Sequence, residues 1–457
     1  MSLKKVYFHT LGCPKNLVDS EVLSGILQEG SLQEKQYEIT KVLSDADIII
    51  INTCSFISAA REETFEEIEK VVKYAKSGKG KKSVIVTGCI LKNMDKEKLL
   101  EMFPKVDAFI SPDEYRDFAK ILTDVIKNKK HILRKSAGKI ELFQSKMYQK
   151  RVLMTPEYFS YIKISDGCSN NCTYCSIPLI RGPLKSRGEK SLLEEIRILR
   201  DRGVKEFNLI GQDITAWGID GGRKGGNLHS LLKRIVKIKG DFRVRLLYLH
   251  PKRIDSDLLD IIIGEEKLCS YIDMPIQHIN DRILTLMNRL VKRRSIEKIL
   301  SYARKKSDDI VLRTTLIVGF PGETKKEFEE LYSFVKDSRF DRLGVFAYSE
   351  EPGTKACKFI DDISKKEKGR RLDKIMRLQE KIAVSLNKKK IGREMEVLVE
   401  GPADGGGFSC WGRSQYEAPD IDPIIYVRGN PEVLPGKIIN VVIDGVAGYD
   451  LLSTELE

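Results

Sequence analysis

Three cysteines, Cys168, Cys172 and Cys175, follow one another with the spacing C-x3-C-x2-C. Three thiolates in one loop can bind three irons of a 4Fe–4S cube, each iron through one sulfur. No fourth cysteine lies close to them in the sequence, so one iron of such a cube stays open to another ligand. Because an open iron is a place where a substrate can bind, the triplet indicates an enzyme rather than an electron carrier.

Other uses of the triplet fit the sequence less well. A tetrahedral structural zinc takes four ligands, usually in two close pairs, and the nearest histidines, His131 and His229, are far away. A disulfide is disfavoured because the start of the chain does not resemble a secretory signal. Isolated core cysteines would be surrounded by apolar residues, whereas Gly167 and Ser169-Asn170-Asn171 flank the first cysteine of the triplet. An iron–sulfur site is therefore the favoured interpretation.

A second set of cysteines, Cys13, Cys54 and Cys89, is spread over the N-terminal part of the chain. Each follows a predicted strand, in contexts such as Leu11-Gly12-Cys13 and Thr87-Gly88-Cys89. The carboxyl ends of adjacent parallel strands meet at one edge of a sheet, so we expect these thiols to converge on a second cluster. The alternative is that all three are buried core cysteines that follow strands by coincidence. The other cysteines share no such pattern and are interpreted as structural: Cys269, Cys357 and Cys410.

Alternating strand and helix patterns predict an α/β protein with three domains. In residues 1–140 the alternation is typical of a small open parallel sheet covered by helices. In residues 141–389 six further β/α units suggest an open (β/α)6 barrel, whose loops at the strand C-termini form the active-site face. Residues 390–457 change to short strands among glycine-rich turns, which predicts a small all-β barrel.

The strands expected from these patterns are as follows. In the first domain they are Lys5–His9, Asp47–Asn52, Ser83–Gly88 and Asp107–Ile110. In the second they are Tyr158–Ile164, Glu206–Gly211, Phe242–Tyr248, Tyr271–Met274, Ile310–Gly319 and Leu343–Tyr348. In the third they are Glu394–Val399, Pro423–Arg428 and Gly436–Ile443.

The chain of 457 residues carries a formal net charge of +13, which by itself suggests a polyanionic partner such as RNA. The charge is uneven, because residues 391–457 contain four basic and twelve acidic residues and carry −8, against +21 for residues 1–390. A domain of −8 would repel a tRNA backbone and attract a basic protein. No apolar run is long enough to span a membrane, so we expect a cytoplasmic protein with reduced cysteines.

The cysteine triplet, with the aromatic residue Tyr174 inside it, resembles the signature of the radical S-adenosylmethionine (SAM) superfamily. Cys13, Cys54 and Cys89 resemble the auxiliary-cluster cysteines of its methylthiotransferase family. The resemblance covers essentially the whole chain and includes Ile177-Pro178-Leu179-Ile180-Arg181-Gly182. It implies an N-terminal methylthiotransferase domain at 1–140, a radical SAM domain at 141–389 and a TRAM domain at 390–457.

Within that family, the segment around Cys13 resembles the protein-modifying branch; it reads Gly12-Cys13-Pro14-Lys15-Asn16-Leu17-Val18-Asp19-Ser20-Glu21. The tRNA-modifying branch usually has a different pair in place of Pro14-Lys15. Gly412-Arg413-Ser414 and Ala418-Pro419-Asp420-Ile421-Asp422 also resemble the protein-modifying branch. The resemblance implies that two SAM and two 4Fe–4S clusters add a methylthio group to an aspartate β-carbon. The implied substrate is small-subunit ribosomal protein S-twelve, free or in the subunit, and the implied electron donor is flavodoxin or ferredoxin.

By the same resemblance, five residues are candidate SAM contacts: Tyr174, Gln212, Gln277, Arg313 and Gly319. The Arg313 guanidinium could pair with the SAM carboxylate, and a salt bridge inside the barrel is an equal alternative for it. The implied metal ligands are Cys13, Cys54, Cys89, Cys168, Cys172 and Cys175, and no catalytic residue beyond them is assigned.

Two other functions stay open at this point. A tRNA adenosine 2-methylthiotransferase would share every cysteine and differ only in its substrate, although the acidic C-terminal domain disfavours tRNA. An iron–sulfur protein that binds RNA or transfers electrons would consume no SAM.

Overall fold

The computed structural model describes residues 3–30, 36–77, 82–127, 145–224, 226–430 and 432–456. Its N-terminal strands are β1 Lys4–Thr10, β2 Tyr37–Ile39, β3 Ile48–Thr53, β4 Ser83–Gly88 and β5 Ala108–Ile110. Its N-terminal helices are α1 Pro14–Gly30, α2 Ser58–Ser77, α3 Ile90–Asn93, α4 Lys96–Met102 and α5 Phe118–Ile126. The five strands form one sheet in the order β2-β1-β3-β4-β5, and every pair in it is parallel.

Helices cover both faces of this sheet because its central strands are apolar on both faces. All six residues of β3 are buried, as the run Ile48-Ile49-Ile50-Ile51 predicts. Helix α2 buries Thr64, Ile68, Val71 and Ala75, whose spacing of three and four residues places them on one side of the helix. Strand β2 is not predicted by the sequence, since it is a three-residue edge strand with one buried side chain.

The second domain begins with α6 Ser145–Gln149. Its strands are β6 Phe159–Lys163, β7 Ser165–Asp166, β8 Lys185–Ser186, β9 Glu206–Ile210, β10 Arg243–Leu246, β11 Tyr271–Asp273, β12 Val311–Val318 and β13 Arg342–Ala347. Its other helices are α7 Ile177–Ile180, α8 Glu189–Asp201, α9 Leu228–Ile235, α10 Ser256–Gly264, α11 Asp281–Leu286, α12 Arg293–Lys306, α13 Lys325–Ser338 and α14 Lys365–Lys388.

The six long strands of this domain form two parallel sheets, in the orders β6-β9-β10 and β11-β12-β13. A parallel bridge between Val244 and Leu268 connects the edges of the two sheets. In the part of the chain that is described, no pairing joins β6 to β13, so the wall stays open on that side. The predicted open barrel is therefore confirmed, and each of its strands lies within two residues of its predicted ends.

The third domain consists of β14 Glu394–Pro402, β15 Cys410–Arg413, β16 Ile425–Arg428, β17 Ile438–Ala447 and β18 Asp450–Glu455. These strands close into a barrel in the order β14-β15-β16-β18-β17, which confirms the predicted small β-barrel. The sequence pattern predicts three of the five strands and misses β15 and β18. Strand β15 has only four residues, one of them Gly412, so its pattern is too short to be recognised.

The C-terminal barrel docks beneath the central barrel, at the N-terminal ends of its strands. Arg413 is 1% exposed in its side chain and donates to both carboxylate oxygens of Glu206, the first residue of β9, at 3.0 and 3.2 Å. The same guanidinium donates to Glu400 at 2.6 Å, and Arg245 donates to the Gln415 carbonyl at 2.8 Å. The segment after β15 therefore covers the bottom of the central barrel.

Two acidic residues of this segment bond the central barrel. The Tyr161 hydroxyl donates to Asp420 at 2.7 Å, and the Tyr271 hydroxyl donates to Asp422 at 2.6 Å. Part of the −8 charge of the C-terminal domain is thus used in docking, so fewer acids are available to a partner than the charge count indicates. Ala418-Pro419-Asp420-Ile421-Asp422, the motif that resembles the protein-modifying branch, lies at this internal contact.

The predicted boundary between residues 140 and 141 lies outside the described residues. The one between residues 389 and 390 falls between the end of α14 and the start of β14. None of the helices in the described ranges is long and apolar enough to cross a membrane.

Candidate active site

The loop that carries Cys168, Cys172 and Cys175 leaves β7 at the C-terminal face of the central barrel. Gly167, just before the first cysteine, has φ +72°, and a Cβ at this position would lie 2.2 Å from the Pro183 carbonyl oxygen. Only glycine fits this turn, because both the backbone conformation and the space exclude a side chain. The Cys168 N–H donates to the Gly182 carbonyl at 3.1 Å, which fixes the loop against the chain that returns toward β8.

Polar groups surround the sulfurs of this loop. Asn170 Nδ2 lies 3.4 Å from Cys168 Sγ, and Arg289 Nη1 lies 3.6 Å from Cys172 Sγ. Burial, followed by the neighbouring Cys172 thiol, raises the pKa of the Cys175 thiol to about 12. A buried thiol that is hard to ionise alone is readily deprotonated by a metal, so these three cysteines fit a metal cluster.

Cys13, Cys54 and Cys89 follow β1, β3 and β4, which are adjacent in the N-terminal sheet. Gly12 has φ +84°, and a Cβ there would lie 2.5 Å from the Cys54 Cβ, so the first two cysteine loops touch. Burial, together with nearby Cys89 and Cys13, raises the pKa of Cys54 to about 11. The predicted convergence of strand ends therefore brings these thiols together in the structure.

The side chain of Asn16 connects these loops. Its Nδ2 donates to the carbonyls of Leu11 at 3.1 Å and Thr53 at 2.9 Å, the residues that precede the Cys13 and Cys54 turns. Its Oδ1 lies 3.6 Å from Cys89 Sγ. One buried side chain in the first turn of α1 thus holds all three loops in place.

Among the described residues, no three His, Cys, Asp or Glu side chains are close enough to bind a single metal ion. This spacing suits a cluster, because each thiolate of a 4Fe–4S cube binds a different iron and the ligands stand farther apart than around one ion. The donor set fits as well, since every cysteine of the chain is free and each set offers three sulfurs. The six predicted metal ligands therefore form two groups of three.

Arg181 connects the central domain to the N-terminal cysteine group. It follows α7 in the central domain, and its Nη2 donates to Asn16 Oδ1 at 2.6 Å and lies 3.2 Å from Cys89 Sγ. Its Nη1 donates to Asp19 at 2.8 Å. Lys163 Nζ bridges Asp19 at 2.7 Å and Asp166 at 2.9 Å. A buried network of charges thus joins α1 of the first domain to β6 and β7 of the second.

In the sequence, Arg181 is visible only as part of a motif, and nothing there indicates its role. Nothing in the sequence indicates that Arg289 lies beside Cys172. Both guanidiniums reach a sulfur from a distant part of the chain, and no local pattern of residue types announces such a contact. The sequence offers one indication, for Arg181 alone: it is a charged residue that follows the cysteine motif closely, after the short helix α7.

Four of the five candidate SAM contacts lie near the C-terminal ends of the barrel strands. Gln212 follows β9 and donates through Nε2 to Asp166 at 2.9 Å. Gln277 follows β11 with φ +72°, an unusual conformation for a residue with a side chain. Gly319 follows β12 with φ +69°, and Tyr174 is partly buried with its hydroxyl 3.4 Å from Arg289 Nη1.

Arg313, the fifth candidate, lies deeper in the barrel. Its Nη1 donates to Asp273 at 2.7 Å, and its Nε lies 3.7 Å from Asp422 of the C-terminal domain. This is the interior salt bridge that the sequence left open for Arg313. Its contact with SAM stays a prediction, as do those of the other four residues.

Comparison with known proteins defines the class of the molecule. A model of an uncharacterized protein family, UPF0004, matches residues 5–111, a radical SAM superfamily model matches 162–335, and a TRAM domain model matches 391–454. The fold is similar to that of TsrM from Kitasatospora setae, a radical S-adenosylmethionine methyltransferase solved with cobalamin and a [4Fe-4S] cluster. That match has a TM-score of 0.55 at 14% identity and covers 78% of this chain and 77% of the other. The fold and the cysteine sites together define a three-domain radical SAM protein.

Sequence relatives are more specific. The ribosomal protein uS12 methylthiotransferase RimO of Dictyoglomus thermophilum is 42% identical over 452 residues, which cover 98% of this chain and 99% of that protein. RimO of Acetivibrio thermocellus is 40% identical, with 98% of both chains covered. The chain belongs to the RimO family of ribosomal protein uS12 methylthiotransferases.

Proposed function

We propose that this protein is a radical SAM methylthiotransferase that replaces a C–H bond by C–SCH3 at the β-carbon of an aspartate in ribosomal protein uS12. The observation that carries the proposal is the meeting of two three-cysteine sites at one domain interface, in a chain of the RimO family: Ser176, beside Cys175, donates to the carbonyl of Phe56, near Cys54, at 2.9 Å. A single cluster site would suit radical generation alone. The second site supplies a place from which sulfur can be delivered.

The target C–H is too strong and too weakly acidic for a general base, so a radical must remove its hydrogen. Cys168, Cys172 and Cys175 would hold the cluster that generates a radical from SAM, and Cys13, Cys54 and Cys89 would hold the one at which the methylthio sulfur is presented. The methyl group would come from one SAM, which leaves as S-adenosylhomocysteine, and a second SAM would leave as methionine and 5′-deoxyadenosine, which carries away the substrate hydrogen. The electron for this cleavage comes from a low-potential donor such as flavodoxin or ferredoxin.

The residues of the chain hold and orient these groups. Asn16 fixes the three N-terminal cysteine loops, while Arg289 places a positive charge beside the Cys172 sulfur. Arg181 holds the first domain against the second, because its guanidinium bonds Asn16 and Asp19 at once. Asp166 orients the Gln212 amide at the barrel mouth. A rigid arrangement matters because radical transfer between two sites depends on their distance and orientation.

A basic ribosomal protein is the favoured substrate over tRNA. The support comes from the RimO relatives and from acidic residues that remain exposed on the C-terminal barrel after the docking pairs are set aside. These exposed acids are Glu394, Glu396, Asp404, Glu432 and Asp444. A cytoplasmic location belongs to the proposal, because the small ribosomal subunit is there.

Mass spectrometry of uS12 and of tRNA nucleosides from a strain lacking the gene tests the substrate. We expect uS12 to lose its methylthio mass while the tRNA nucleosides are unchanged. Loss of the tRNA modification with intact uS12 would assign the enzyme to tRNA. A separate assay distinguishes an enzyme from a binding or electron-transfer protein: the reconstituted protein with SAM and dithionite should release 5′-deoxyadenosine, and failure to do so would refute SAM chemistry.

A further inference from the structure

Lys15 is a buried lysine at the interface between the two cysteine sites. It lies in the first turn of α1, two residues after Cys13, and is 8% exposed. Its Nζ lies 3.6 Å from the centre of the Tyr248 ring and 3.5 Å from the Gly211 carbonyl oxygen. Gly211 follows β9 and Tyr248 follows β10, so Lys15 extends from the first domain to the mouth of the central barrel.

Among the described residues no carboxylate pairs with Lys15, and the ionisable groups of opposite sign beside it are the Tyr248 hydroxyl and the Cys13 thiol. An ammonium has three N–H donors, and here they have one long contact to a carbonyl and one aromatic face. The acids of this interface, Asp19 and Asp166, are already bound by Lys163 and Arg181. Burying an ammonium without a carboxylate partner is costly, so a lysine in this position, at the mouth of the central barrel, indicates an anionic ligand.

The site is built to hold this lysine. Tyr248 has φ +67°, a conformation that is strained for a residue with a side chain. Its N–H donates to Asp273 at 2.8 Å, and its carbonyl accepts from the Ile214 N–H at 3.2 Å. The strained backbone is thus fixed on both sides, and it keeps the ring against the ammonium.

We propose, on the basis of the function proposed above, that Lys15 binds the side-chain carboxylate of the aspartate that is modified. The β-carbon of aspartate is directly bonded to that carboxylate, so anchoring the carboxylate fixes the reacting C–H one bond away. An adenine base has no carboxylate, so the same lysine gives an aspartate substrate an advantage that a tRNA base lacks. Lys15 positions the substrate and takes no part in the bonds that form and break.

The test measures binding of purified uS12 to the reconstituted protein under anaerobic conditions. The aspartate that mass spectrometry finds modified by the wild type is replaced by asparagine in a second uS12 preparation. We expect the wild type to bind the aspartate form roughly 10- to 100-fold more tightly, the value of a hydrogen bond to a charged group. Equal affinity of the wild type for the aspartate and asparagine forms of uS12 would by itself overturn the proposal.

Three variants sharpen the test. Lys15→Met should weaken binding of the aspartate form by the same factor and abolish the preference, whereas Lys15→Arg should keep part of it. Lys98→Met, at an exposed position of α4, is the matched control and should bind like the wild type. A structural role for Lys15 would weaken both forms of uS12 equally and leave the preference intact, which would refute carboxylate binding.

The SAM carboxylate is the other possible source of the negative charge. SAM cleavage by Lys15→Met without uS12 separates the two, because we expect its KM for SAM to equal that of the wild type. A raised KM for SAM with an unchanged preference for the aspartate form would assign Lys15 to SAM and overturn the proposal. Failure of the wild type to modify any aspartate of uS12 would instead refute the proposed function, and it is seen before any variant is made.

Discussion

Arg413 is the charged centre of the contact between the C-terminal barrel and the central barrel. Its buried guanidinium bonds Glu206 at 3.0 and 3.2 Å, Glu400 at 2.6 Å and the Glu417 carbonyl at 2.9 Å. In Arg413→Leu the two carboxylates lose a shared cation while they remain buried. Removing one partner of a buried ion pair costs about 3–5 kcal/mol, and we expect the free energy of unfolding to fall by that amount.

Urea denaturation measures this loss, and hydrogen exchange locates it. We expect amides of β14–β18 to lose protection first, because the interface opens before the central barrel unfolds. Arg428→Leu is the matched control, since Arg428 also donates to one carboxylate, Asp444, at 3.0 and 3.1 Å. That pair is 42% and 34% exposed, so water and salt screen it and its loss should cost about 0–1 kcal/mol.

The reasoning would be refuted if both arginine variants lost the same stability. It would also be refuted if Arg413→Leu were destabilised without loss of amide protection in the C-terminal barrel. Either outcome would mean that the buried network does not hold the two domains together.

Burial would raise the pKa of Glu206, but Arg413 and two neighbouring arginines outweigh it and hold this pKa well below its usual range. The resulting stability is present above the unfolded pKa of about 4.3 and is lost as the pH falls below it. Between about pH 5 and about pH 3, the urea midpoint should therefore fall less steeply for Glu206→Gln than for the wild type. Cys172→Ala should abolish release of 5′-deoxyadenosine, whereas Cys54→Ala should keep it and lose only methylthio transfer; equal loss in both would show that the sites have no separate roles. Gly12→Ala places a methyl group 2.5 Å from the Cys54 Cβ, so we expect a folded protein with about half of the wild-type iron, and full iron content would contradict this crowding.

The cysteine sites show how far the sequence leads. Cys13, Cys54 and Cys89 are distant in the chain, but each follows a strand of a parallel sheet, and the rule that such strand ends converge is sufficient to group them. The family, the order of domains and the six barrel strands were predicted for the same reason, since strand patterns and short motifs are local. The short strands β2, β15 and β18 were missed because few of their residues carry a pattern.

Charge is where the sequence misled. Counting acids in residues 391–457 suggested a negative surface, but Asp422 bonds Tyr271 inside the molecule and Glu417 is buried. Arg313 pairs with Asp273 and Asp422, which is the interior salt bridge that the sequence left open as an equal alternative. Net charge cannot distinguish an exposed acid from a buried one, because the partner belongs to another domain.

The sequence by itself determined the three-domain architecture and the family and predicted the two cysteine sets, because each depends on residue types in local patterns. Only the tertiary structure decided which cations serve the site. Arg181 reaches Cys89, and Lys15 lies against Tyr248, across separations of 92 and 233 residues. Electrostatic partners are set by distance in space, and the packing of α1 against the mouth of the central barrel created both contacts.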